Sequence, residues 1–115
     1  MTINNAIAKA NKLRPNTFTD EQKYNWLMVL EAQAAEMMEK ETPKNTFSDM
    51  NIELLMPYPY DNIYPLYLAA IIDYYNQETA LYQNDSVIFE EAKRDAFAWY
   101  RRNNMPKSSS GWKVM

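Results

Sequence analysis

The chain has 115 residues, which gives room for one domain with a single hydrophobic core. Apolar residues make up 47% and charged residues 23%, a balance typical of a globular protein rather than a disordered one. Cysteine and histidine are absent and glycine occurs once, which argues against disulfides, thiolate nucleophiles, thiolate or imidazole zinc sites and glycine-rich phosphate loops. The remaining polar side chains suit binding better than catalysis, so we expect no enzyme activity and no cofactor.

The net charge of −3 hides an asymmetry along the chain. Residues 1–85 carry twelve acidic and six basic side chains, whereas residues 86–115 carry three acidic and six basic ones. An acidic body with a basic end can bind a second copy head to tail, or another charged partner. Ordinary scatter of surface charge explains the same numbers, and both interpretations stay open.

Two other kinds of function find little support. The longest apolar run, residues 66–72, is far too short to span a membrane, and the first residues lack a signal-peptide pattern, so we expect no membrane partner. Glu36 and Glu39 lie three residues apart and share a helix face, which leaves an all-carboxylate magnesium or calcium site open. A solvated helix face explains such pairs better, and no metal is expected.

Two helices are predicted in the first forty residues. Apolar residues spaced three and four apart predict a helix over Ile3–Leu13, with Thr2 as its N-cap. Thr19 and Gln22 have the spacing of a capping box, which begins a second helix that should run to about residue 39 or 40.

Two more helices are predicted in the second half. Asp61 should cap a third helix over residues 62–83, and residues 84–86 should break the chain before a fourth helix over residues 87–103. The third helix is apolar on nearly every side, so it is either central or faces another subunit, with Tyr67 and Ile71 in its core. Asp73 within it should pair with a lysine or arginine from another helix.

The predicted fold is therefore all-α: a small four-helix domain over residues 1–103, with a long proline-framed loop and a flexible C-terminal docking arm over residues 104–115. The loop, residues 41–57, is longer than most connections in a small domain, and such loops are often functional. The arm combines proline, three serines and glycine with apolar residues at its tip. The candidate protein-interface residues come from the loop, the tyrosines after it, the basic end of the fourth helix and the arm: Leu54, Leu55, Met56, Tyr58, Tyr60, Arg101, Arg102, Met105, Pro106, Trp112, Val114 and Met115.

Several stretches of the second half carry a resemblance to a known family. They are ELLMPYPYDNIYPLYL at residues 53–68, IDYYNQETALYQND at residues 72–85, FAWYRR at residues 97–102 and MPK at residues 105–107. Together they resemble head–tail connector, or adaptor, proteins of tailed bacteriophages and prophages of Gram-positive bacteria. The resemblance covers roughly residues 50–110, and none of its motifs is catalytic.

The resemblance implies a structural virion protein of the neck, assembled in the host cytoplasm. Such proteins are small and mostly helical, and they form a homo-oligomeric ring under the portal that extends the DNA channel. They offer a platform to the next neck or tail protein, and their loops and termini embrace neighbouring subunits or the portal. The arm would then be a docking segment and the loop would contact a neighbour or line the channel. The acidic body would suit a channel through which DNA passes without being held.

A small phage-encoded DNA-binding or packaging accessory protein is the alternative. Arg94, Arg101, Arg102 and the lysines at positions 107 and 113 form the only basic cluster, and aromatic residues lie between them. Aromatic side chains among cations can stack on bases. The acidic character of the whole chain and the lack of a helix-turn-helix pattern speak against this function.

Overall fold

A computed structural model describes residues 1–104, and within them the fold is all-α, as predicted. Helix α1 spans Ile3–Leu13, α2 spans Asp20–Met37, α3 spans Ile63–Tyr75 and α4 spans Thr79–Asn104, with one 3₁₀ turn at Tyr60–Asn62 before α3. The helices form a flat body with extents of 53 × 33 × 19 Å. The predicted docking arm, apart from Asn104, lies outside the described residues.

The predicted starts of the first two helices are confirmed. Thr2 accepts a hydrogen bond from the backbone nitrogen of Asn5, and Thr19 and Gln22 form both halves of the capping box. Helix α1 also receives caps from the loop, because its first amides have no partners within the helix. The nitrogen of Ile3 donates to the carbonyl of Ile52 at 3.1 Å.

The predicted boundary between the third and fourth helices is wrong. Helix α3 ends at Tyr75 rather than at residue 83, and α4 begins at Thr79. Gln77 takes a left-handed conformation with φ of 59°, and the nitrogen of Glu78 donates to the carbonyl of Asp73 at 3.0 Å. This is a Schellman ending, which usually places glycine where Gln77 stands. The sequence therefore lacks the ordinary signal for the end of this helix.

Helix α2 ends in the same way. It stops at Met37, two or three residues before the predicted end, and Glu39 is left-handed with φ of 57°. The nitrogen of Lys40 donates to the carbonyl of Ala35 at 2.8 Å, which completes the ending. Here too a residue other than glycine takes the position, so the sequence pattern continues past the helix.

Helix α3 is central, and the other three helices all pack against it. Its fully buried side chains include Ile63, Tyr64, Leu68 and Ile72. Tyr67 is half-buried and packs against the core, but Ile71 is only half-buried and is not part of the core cluster. The expected core position at residue 71 is therefore wrong by one residue, because a helix that is apolar on most sides does not reveal its inner face.

The loop between α2 and the 3₁₀ turn is fastened to the core by a buried polar network. The hydroxyl of Tyr64 donates to Glu31 Oε1 at 2.7 Å and accepts from the nitrogen of Met56 at 2.9 Å, while Glu31 Oε2 accepts from the nitrogen of Leu55 at 2.8 Å. Burial raises the pKa of the Glu31 carboxyl. Leu54 is 6% exposed and Met56 is fully buried. These two predicted interface residues are thus core residues, because the apolar loop covers the domain's own interior.

Candidate protein-interaction surface

Five aromatic side chains form a continuous cluster where α2 passes the turn between α3 and α4. We call this cluster the aromatic surface; it consists of Phe18, Trp26, Tyr74, Tyr75 and Tyr82. The rings of Trp26 and Tyr75 are stacked with centroids 5.1 Å apart, and Phe18 meets Trp26 edge-on at 5.3 Å. Tyr74 continues the cluster, with its centroid 5.2 Å from that of Tyr75 and 5.5 Å from that of Tyr82.

The aromatic surface is open to solvent. Tyr74 is 58% exposed and Tyr75 is 54% exposed, although both rings already have aromatic neighbours. Together with Tyr82 they border a hollow of about 770 Å³ whose rim includes Glu78 and Gln77. Exposed aromatic side chains in one patch mark a protein-interaction site more often than single exposed apolar residues do.

An ion cluster ties three helices together beneath the aromatic surface. Arg14, at the end of α1, donates from Nε to Asp73 Oδ1 of α3 at 3.1 Å, which confirms the predicted partner of Asp73. The same guanidinium places Nη2 2.7 Å from Asp85 Oδ2 of α4. Because Asp73 directly precedes Tyr74 and Tyr75, this cluster fixes the end of α3 that carries both tyrosines.

The two carboxylates of this cluster compete for one cation. Asp73 is 1% exposed, and its Oδ2 atom accepts no hydrogen bond from the described residues. Burial and the neighbouring Asp85 raise the pKa of Asp73 to about 6, and the attraction of Arg14 only partly offsets them. Near neutral pH, Asp73 is thus a carboxylate whose ionised form costs the fold free energy.

A second polar cluster positions Phe18. Lys23 is 3% exposed, and its Nζ atom donates to Asn11 Oδ1 at 2.8 Å and to Asn16 Oδ1 at 3.0 Å. Asn16 Oδ1 also accepts from the backbone nitrogen of Phe18 at 3.1 Å. The buried ammonium therefore holds the turn between α1 and α2 in the conformation that places Phe18 against Trp26.

The described residues contain no arrangement typical of a metal centre. No group of three or more acidic side chains within residues 1–104 is placed to hold a metal ion. The carboxyls of Glu31 and Asp73, whose pKa values are raised, are engaged in bonds that join helices and loop. None of the helices in this part of the chain is long and apolar enough to cross a membrane.

The other predicted interface residues within residues 1–104 lie outside the aromatic surface. Tyr58 is 84% exposed, Leu55 is half-buried, and Tyr60 is half-buried and stacked on Trp99 at 4.7 Å. Arg101 and Arg102 are exposed at the end of α4. The predicted arm residues Met105, Pro106, Trp112, Val114 and Met115 lie outside the described part of the chain.

The sequence pointed to tyrosines as interface material but not to this surface. Tyr74 and Tyr75 are adjacent in sequence, which places them on different sides of a helix that is apolar nearly all round. Both are exposed because α3 ends at Tyr75. Nothing in the sequence indicated that Phe18 and Trp26 belong to an interface. They join the cluster only because the turn between α1 and α2 and the start of α2 pack against α3.

A scan against protein-family models and searches of curated proteins and solved structures gave no match to this chain.

Proposed function

We propose that this chain is a structural virion protein, a head–tail connector that forms a homo-oligomeric ring beneath the portal and joins head to tail. The observation that carries the proposal is the exposed aromatic surface on an all-α body. The sequence resemblance supplies the kind of assembly, and the surface supplies the means of joining subunits.

The polar clusters under the aromatic surface support an assembly role. The free-energy cost of binding is lower when the interface residues are already fixed, since less conformational entropy is then lost. Arg14 fixes the end of α3, and Lys23 fixes the turn that carries Phe18. Both cations bond to buried or half-buried side chains below the surface. The aromatic rings are therefore held in position before a partner binds.

The shape of the domain suits a subunit with two working ends. Helix α4 has 26 residues, so it is about 39 Å long at 1.5 Å per residue. It carries Tyr82 near one end and Arg101 near the other. In a ring, such a helix lets one subunit present different chemistry to two neighbours, the portal and the next neck or tail protein. DNA is a passing occupant of the channel and not a ligand.

The C-terminal arm completes the proposal as a docking segment. Deleting residues 104–115 is expected to leave the domain folded, because residues before position 104 form a core cluster of their own. The same deletion should abolish assembly, since Trp112, Val114 and Met115 are apolar residues at the tip of the arm that can anchor it to a partner. Circular dichroism measures the first expectation and particle assembly the second; an unfolded truncation or normal assembly would contradict them.

Electron microscopy of lysates tests the proposed function. The gene for this chain is disrupted in the phage or prophage that encodes it, and a plasmid copy serves as the matched control. We expect DNA-filled or leaking heads beside separate, complete tails, with joined particles restored by the plasmid. Normal infectious particles from the disrupted genome would remove the adaptor function.

The alternative, a DNA-binding or packaging accessory protein, is favoured by the exposed Arg101 and Arg102 at the end of α4. DNA binding by this end would weaken steeply with salt, and Arg101→Ala or Arg102→Ala would reduce the slope of affinity against salt concentration. The connector requires only weak affinity for DNA that varies little with salt. A salt titration with duplex DNA therefore separates the two functions.

A further inference from the structure

We infer that the aromatic surface binds the basic end of α4 of a second copy, so that copies join head to tail. This inference rests on the proposed assembly role for its biological meaning, but its evidence is the distribution of charge and aromatic rings over the folded domain. It names the two surfaces that meet, which the proposed function leaves open.

Carboxylates surround the aromatic surface, and the nearby cations are internally engaged. Glu78 on the rim of the hollow is exposed, and Asp20 and Glu21 are exposed at the start of α2, directly after Phe18 and Thr19. Arg14 is bonded to two aspartates, and Lys23 is 3% exposed, with its Nζ on two asparagine oxygens and 3.8 Å from Asp20 Oδ1. The surface therefore offers aromatic faces and negative charge to a partner without offering a positive charge.

The opposite end of α4 carries the complementary chemistry. Arg101 and Arg102 are exposed, and neither forms an ion pair with another residue in the range 1–104. Asp95, the nearest acidic residue before them on α4, lies 4.0 Å from the Arg94 guanidinium, and Asp61, next to the Tyr60 that stacks on Trp99, is bonded to the Met1 ammonium at 3.2 Å.

Arginine is the side chain best matched to an acidic aromatic surface. Its planar guanidinium stacks on tyrosine and tryptophan rings and pairs with carboxylates at the same time. Exposed arginines beside aromatic rings are also typical of the central part of protein interfaces. Each copy therefore carries both complementary features, and the basic end of a second copy is the partner that we assign to the aromatic surface.

The two ends cannot meet within one molecule. Tyr82 and Arg101 lie on the same helix, about 28 Å apart along its axis at 1.5 Å per residue. Contact between them thus requires two copies. Because the joined surfaces differ, each contact leaves one aromatic surface and one basic end free, and the series closes as a ring or continues as a filament.

Mixing two variants with different defects tests this contact. One variant carries Arg101→Glu with Arg102→Glu, and the other carries Tyr74→Ser with Tyr75→Ser. Sedimentation velocity over a concentration series should show species larger than dimers for the unaltered chain. Each variant alone should associate at least about tenfold more weakly. The equimolar mixture should form dimers and nothing larger, since only one intact pair of surfaces remains.

A charge exchange keeps the test valid if the tyrosine variant fails to fold. Glu78→Arg alters an exposed side chain and should weaken association by itself, with Glu78→Gln as the milder matched variant. Combining Glu78→Arg with Arg101→Glu in one chain should recover part of the lost affinity, because opposite charges again face each other. Each variant is first shown to match the unaltered chain in its circular dichroism and thermal unfolding.

Three results would overturn the inference. They are an unaltered chain that stays monomeric at its highest soluble concentration, folded variants that associate like the unaltered chain, and a mixture that forms larger species or none. These results are independent of the lysate microscopy. Separate heads and tails after gene disruption, together with a failed mixing test, would keep the connector role and discard only this contact.

Discussion

Replacing Asp73 by asparagine should make the protein more stable at neutral pH, although it removes a charge from an ion pair. Burial and Asp85 raise the pKa of Asp73 from 3.8 to about 6, so the native protein holds this proton more tightly than the unfolded chain does. The stability contributed by the protonated form is complete below pH 3.8 and is lost as the pH rises through about 6. At pH 7 the native state therefore carries the full cost of the ionised side chain.

The size of this cost follows from the shift. A rise from 3.8 to about 6 corresponds to about 3 kcal/mol at 1.36 kcal/mol per pH unit. Asparagine has the shape of the protonated acid, and its amide can donate to Asp85 while its oxygen accepts from Arg14. We expect Asp73→Asn to raise the free energy of unfolding by up to about 3 kcal/mol at pH 7 and to change it little near pH 4.

Urea unfolding of both proteins at a series of pH values from 4 to 8 measures the difference. The raised pKa of Glu31 affects the stability of both proteins in the same way, so its effect cancels in the difference between their free energies of unfolding. Glu78→Gln, which neutralises an exposed acid nearby, serves as the control. An Asp73→Asn protein that is less stable than the unaltered chain at pH 7 would refute the reasoning. It would mean that the attraction of Arg14 outweighs burial and Asp85.

Three further predictions concern the fold. Gln77→Gly should stabilise the protein by about 1 kcal/mol in urea unfolding, because glycine takes the left-handed conformation freely; an unchanged midpoint would contradict this. Ile72→Ala should cost about 2–5 kcal/mol and Ile71→Ala clearly less, since only Ile72 is fully buried; equal thermal shifts would contradict this assignment. Tyr64→Phe should cost about 1–3 kcal/mol by leaving Glu31 Oε1 and the amide of Met56 without their partner, and a neutral result would show that water replaces the hydroxyl.

Local sequence chemistry predicted the starts of α1 and α2 but missed the start of α4, and Asp61 does not cap α3, which begins after Asn62 without a side-chain cap. Thr2 and Thr19 are standard N-caps, and both act as predicted. The ends of α2 and α3 were missed because Glu39 and Gln77 take the left-handed position where glycine would be the usual signal. A residue with a side chain gives no local sign that the helix stops, and only the packing of the next segment decides the position.

The sequence predicted the types of residue in the candidate site but not their arrangement. The abundance of tyrosine and the basic end of the chain pointed to interfaces, and Tyr58 with Arg101 and Arg102 are indeed exposed. Leu54 and Met56 were assigned to an interface because an apolar loop has two possible uses, covering its own core or meeting a partner. The aromatic surface itself depends on contacts between residues far apart in the chain, such as Trp26 with Tyr75, that no local pattern encodes.

Complementation of the disrupted gene tests the central claim, assembly through the aromatic surface, most directly. Plasmids supply the unaltered chain, the Tyr74→Ser/Tyr75→Ser variant or Phe47→Ser, and joined particles are counted by electron microscopy. Phe47 is 40% exposed and packs on Tyr24. Tyr24 and Trp26 lie about 200° apart around α2, so Phe47 is on a different side of the domain from the aromatic surface. Phe47→Ser therefore controls for the loss of an exposed aromatic ring. We expect the unaltered chain and Phe47→Ser to restore joined particles and the double tyrosine variant, present at normal levels and folded, to leave heads and tails apart. Full restoration by the double tyrosine variant would contradict the account.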